Sequence, residues 1–115
     1  MNSYCLKIKM KPEIEDNHPS SLASAYAIVF VLCDTEEEAR TKTINHLSRH
    51  QWEIQNIQTV YQMTSEQILR LDETTAKGYQ EATTNGIASV ILDAWPKFLD
   101  HLFSSGFEEN NSNQT

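Results

Sequence analysis

The amino-acid sequence predicts an α+β domain: a two-layer sandwich of ferredoxin-like or related type, with a four-stranded mixed or antiparallel sheet and helices on one face. Three observations carry the prediction. Four short runs have strand periodicity, the stretches between the later ones have helical spacing and caps, and the order that results is β-β-α-β-α-β-α. A chain of 115 residues also holds enough material for one hydrophobic core but not for two. The domain is expected to span 1–103. A disordered tail should follow at 104–115, where Phe107 is the only large apolar side chain.

Tyr4 to Lys11 alternates, with Tyr4, Leu6, Ile8 and Met10 on one face and Cys5, Lys7, Lys9 and Lys11 on the other. That is a half-buried strand ended by Pro12. The lysine comb suits a solvated strand face, especially an edge strand guarded against aggregation. Glu13 to Ser21 reads as a loop. Ser24 to Cys33 is apolar on both faces, which marks the central strand of the sheet.

Asp34 and Thr35 can each cap a helix, and Glu36, Glu37 and Glu38 suit the positive end of its dipole. The helix should run from Thr35 to about Arg49 and bury Ala39, Thr43, Ile44 and Leu47. Trp52 to Tyr61 is the third strand. By parity Trp52 and Ile54 point one way and Ile57, Thr59 and Tyr61 the other, so a β-bulge near Gln55 and Asn56 is expected.

Thr64 with Gln67 forms a capping box for a further helical stretch. That stretch should break around Asp72 to Thr75 and end at Asn85 and Gly86. Ile87 to Leu92 is β-branched and reads as the last strand, with a continued helix as the alternative. Pro96 opens a terminal helix in which Phe98, Leu99, Leu102 and Phe103 fall at helical spacing.

Sixteen carboxylates against nine basic side chains give a net charge of −7, which repels phosphate backbones and anionic lipid. Nucleic acid and membrane are thus poor partners. No apolar run is long enough to span a bilayer and no signal-peptide pattern opens the chain, so a cytoplasmic protein is expected. Cys5 and Cys33 suit buried reduced thiols, although a bridge between neighbouring strands stays open.

No phosphate-binding, dinucleotide or nucleophile-elbow motif occurs, so no catalytic residue and no cofactor are assigned. His46 and His50, four apart on the first helix with Glu53 beyond it, make an incomplete chelating pair, and no metal is assigned to them. Cys33 precedes a helix N-terminus, but the three glutamates oppose a thiolate there. The aromatic residues are more suggestive. Trp95, Phe98 and Phe103 give the terminal helix more apolar surface than one buried stripe needs, and they are the candidate partner-binding residues.

The expected function is that of a small acidic non-enzymatic interaction module. It would be an immunity or inhibitor protein that neutralises a protein partner, or a domain that pairs with a second copy of itself. The alternative is a small enzyme or ligand-binding domain with a pocket between sheet and helices, using His46, His50 or Cys33.

Overall fold

The first strand pair decides the architecture. In the computed structural model, which describes residues 1–12, 25–92 and 95–102, β1 (Asn2–Pro12) and β2 (Ala25–Cys33) form a long antiparallel pair with Tyr4 opposite Val31 and Leu6 opposite Val29. β3 (Trp52–Gln62) joins the free side of β1, and β4 (Ile87–Leu92) the free side of β2. The order is β3-β1-β2-β4, with every neighbouring pair antiparallel. This is not the ferredoxin-like arrangement. β1 is also an interior strand, so its lysines do not guard an edge; Lys7, Lys9 and Lys11 are half-buried.

β2 and β3 both run antiparallel to β1 and are therefore parallel to each other, with β1 between them. The chain crosses β1 by α1 (Glu36–Arg49), which packs on the face bearing Leu6, Ile8, Val29 and Val31 through Ala39 and Leu47. Burying Leu47 alone stabilises that contact by roughly 1.5–3 kcal/mol. From β3 the chain must reach the far edge. It does so across the opposite face, by α2 (Ser65–Leu69) and α3 (Glu73–Asn85), with Ala82 of α3 packed beside Phe30 and Ile28.

Helices therefore cover both faces, which corrects the two-layer expectation. The cause lies in β2: Ala27, Val29, Val31 and Cys33 point to one face, Ile28 and Phe30 to the other, and all are buried. A sheet whose central strand is apolar on both sides needs a cover on both.

The caps follow the sequence closely. The Thr35 side chain accepts from the Glu38 N–H at 3.1 Å, while the Asp34 N–H donates to the Glu38 carboxylate at 3.3 Å, so Thr35 is the N-cap. Thr64 and Gln67 complete the capping box of α2. The break comes slightly earlier than the expected Asp72 to Thr75, between Leu69 and Glu73, because Asp72 is itself the cap of α3 and accepts from the Thr75 N–H at 2.9 Å. Gly86 ends α3 at φ 89°, a left-handed conformation that glycine adopts without a Cβ clash. Ile87–Leu92 is a strand, and the continued helix is set aside.

In α1 Ile44 is 47% exposed, contrary to expectation, because the buried stripe runs through Ala39, Thr43 and Leu47 and turns Ile44 away. β3 carries two irregularities instead of one. The register drops a residue between the partners of Lys9 and Met10, at Gln55, and again between those of Lys7 and Ile8, at Gln58. The first puts Ile57 on the same face as Ile54. The second restores Val60 to that face and turns Tyr61 to the other, so Ile57 and Tyr61 part company.

The loop at Glu13 to Ser21 and the tail at 104–115 lie outside the described residues. No described helix is long and apolar enough to cross a membrane.

Candidate functional site

The predicted site residues do not converge. Residues 97–102 form a helical segment on the α3 face of the sheet, where Leu99 and Leu102 are buried and Trp95 and Phe98 pack half-buried against the same cluster. Lys7 of β1 ties the segment down. Its ammonium lies 5.0 Å from the centre of the Trp95 ring and 3.9 Å from the Asp100 carboxylate. Trp95 and Phe98 thus spend much of their apolar surface within the chain. Phe103 lies outside the described residues.

Cys33 and the two histidines sit near opposite ends of α1, whose rise of 1.5 Å per residue puts them on the order of 20 Å apart. Cys33 is buried and donates to the Thr35 carbonyl at 3.3 Å. Burial and then the Glu38 carboxylate push its thiol above the ordinary range, so it stays protonated. Cys5 is buried on the other face of the sheet, which closes the option of a bridge to Cys33; both are free. Burial raises the Cys5 thiol too.

His46 and His50 do meet, with ring centres 4.7 Å apart at 63°. Among the described residues no third His, Cys, Asp or Glu joins them in a metal-binding group. His46 instead shares a hydrogen bond of 3.4 Å with the Ser89 hydroxyl on β4. Its proton affinity lies below the ordinary histidine value, first through burial and then through repulsion by His50 and Arg49. The ring is therefore neutral near pH 7.

That contact lies in an open groove of about 180 Å³ lined by Lys42, Asn45, His46, Arg49 and Ile87. The four α1 residues fall at i, i+3, i+4 and i+7, one stripe of the helix next to its buried one. Helical spacing makes the stripe readable in the sequence, but there His46 and His50 point only to an incomplete metal-chelating pair.

β4 forms the floor beside this wall. Ala27 pairs with Ile91 and Val29 with Ser89, so Ile87, Ser89 and Ile91 share the α1 face, and Ile91 is 41% exposed. The inner side of β4 pairs with β2. Among the described residues nothing pairs with its outer side.

β4 reads Ile-Ala-Ser-Val-Ile-Leu, with no charge, no proline and no bulge. Charge, proline and bulge, three of the usual devices that blunt an edge, are thus missing from this strand. No family model, no curated protein and no solved structure matches this chain.

Proposed function

We propose that this chain is a non-enzymatic protein-interaction module, acting in the cytoplasm, whose working surface is the outer edge of β4. One observation carries the reading: among the described residues a regular, uncharged, apolar edge strand ends the sheet, and α3 and the α1 groove flank it without covering it. Such an edge offers a row of backbone N–H and C=O groups to an extended segment, which adds as a further strand. The main-chain bonds supply affinity, and side chains that alternate between the two faces supply selectivity.

An enzymatic role draws less support, since Cys33 is a protonated buried thiol far from the histidines and His46 is committed to Ser89. The occupant of the edge is a segment of another protein. A two-fold β4 to β4 pairing would lay the basic α1 stripes of both copies on the same face of the joint sheet, where like charges oppose each other.

The test is a titration of the isotope-labelled protein with a short capped peptide alternating glutamine and valine, followed by amide shifts. Shifts should concentrate in Ile87–Leu92 and spare β3. Ile91→Pro, which blocks strand addition at an edge, should abolish them while far-ultraviolet circular dichroism stays unchanged. Shifts centred on β3, or no shifts, would overturn the reading.

A further inference from the structure

The edge of β4 carries no charge, so by itself it gives an added strand neither register nor sign. The wall above it does. Lys42 and Arg49 flank Asn45 and His46 on the stripe that faces β4, and Ile87 closes the near end. From these placements we infer that the β4 edge selects an extended segment with acidic side chains on its α1 face, held by Lys42 and Arg49. This rests on the strand-addition reading and names the chemistry of its partner.

Geometry supports the match. α1 and β4 both run parallel to β1, so the stripe tracks the edge along its length. Residues 42 to 49 span about 10 Å of helix. Same-face side chains of an added strand recur every ~6.6 Å. Two successive acidic positions therefore fall within the reach of the two long cationic side chains.

Both cations are available for this. Arg49 forms no ion pair with any described residue. Lys42 meets Glu38 at 3.9 Å, but both groups are close to half exposed, and an exposed pair at that distance holds its partner weakly. Arg49 and His50 already repel a proton from His46. A carboxylate brought into the groove relieves that repulsion, and Asn45 can donate to it. The chain carries seven more negative than positive charges, so this basic stripe stands out from a surface of the opposite sign.

The experiment compares three capped peptides of one length, alternating valine with glutamate, glutamine or lysine, each titrated into the full chain at low salt. The glutamate peptide should bind about tenfold more tightly than the glutamine one, a difference of ~1.4 kcal/mol, and the lysine peptide more weakly than both. Added salt should erase the difference. Lys42→Glu with Arg49→Glu should reverse the order, and the neutral pair Lys42→Gln with Arg49→Gln should flatten it, both with the native circular dichroism spectrum.

Equal affinity of all three peptides, with shifts in β4, would overturn the acidic preference and leave the edge reading standing. Binding of the glutamate peptide with shifts in α1 but none in β4 would overturn both, as would the absence of binding by any peptide.

Discussion

The two edges of the sheet are built in opposite ways. β3 carries Glu53, Gln55, Asn56 and Gln58 exposed on its surface and breaks its ladder twice. Bulges of this kind twist an edge away from further pairing. β4 has a continuous register with β2 and no charged side chain. One edge is thus closed by its own irregularity, while the other is closed by nothing among the described residues. The strand addition proposed above uses the edge whose register is unbroken.

α3 packs against the opposite face of β4 through Val90, and the largest expected effect comes from disturbing that contact. A Cβ built at Gly78 of α3 would lie 2.7 Å from the Val90 methyl and 3.5 Å from the Phe30 ring. Val90 is β-branched and cannot swing away. Gly78→Ala should therefore cost about 1–3 kcal/mol through overpacking, more than the up to ~1 kcal/mol that alanine gains in a helix. Chemical denaturation measures the loss. Hydrogen exchange should speed up in β4 while β3 stays as protected as before. A gain in stability would mean that α3 has room to lift from the sheet.

The next effect acts on the wall of the groove. Thr35→Ala removes the acceptor for the Glu38 N–H and should cost about 1 kcal/mol. Asp34→Ala should cost much less, because the Asp34 carboxylate caps no N–H of α1 and its ion pair, with the exposed N-terminal ammonium, is long at 4.0 Å. Equal losses in the two variants would show that the helix begins one residue earlier.

Much of this molecule was legible in its sequence, and the missing part has one cause. Alternation at Tyr4–Met10, the caps at Thr35, Thr64 and Gly86, and the strand at Ile87 are local signals, and each element lies where its residues place it. Strand order is not local. The lysine comb on β1 looks like an edge by composition, yet β1 is interior because β3 returns to its free side. The two-sided apolarity of β2 was itself the sign that helices cover both faces. For the site, the His46 and His50 pair was readable at helical spacing. Its neighbour Ser89, forty-three residues on, and the unpaired edge of β4 follow only from the pairing.

Removing the bulges tests the comparison directly. Without Gln55 and Gln58, β3 alternates regularly: Trp52, Ile54, Ile57 and Val60 keep the α1 face, and Glu53, Asn56, Thr59 and Tyr61 keep the other. The double deletion should therefore leave the core set and the fold in place, with little change in the denaturation midpoint. What should change is the edge, which becomes straight and long enough to pair. Light scattering should find the variant associating at concentrations where the parent chain does not. A variant that unfolds would show that the bulges hold the register, and one that stays folded without associating would show that the polar side chains alone protect β3.

The smallest expected effect is a pH dependence at the contact between the groove wall and β4. His46 binds its proton less readily in the folded chain than the ordinary value of 6.5, through burial first and then through His50 and Arg49. Between that value and the lower folded one, the unfolded chain holds more protons than the folded chain. Stability therefore rises with pH across the window. The contribution of a neutral His46 is fully present above the unfolded value, is lost as pH falls through it, and stops changing below the folded value. His46→Gln keeps a polar group near Ser89 but cannot titrate. The stability difference between parent and variant, measured by urea denaturation from about pH 7 to about pH 5, should shrink steadily as the solution is acidified. No comparable change should attend a histidine-free site such as the Gln55 and Gln58 deletion. A difference that stays flat would mean that His46 swings out of the groove when it charges, leaving the wall of the β4 edge to Lys42 and Arg49 alone.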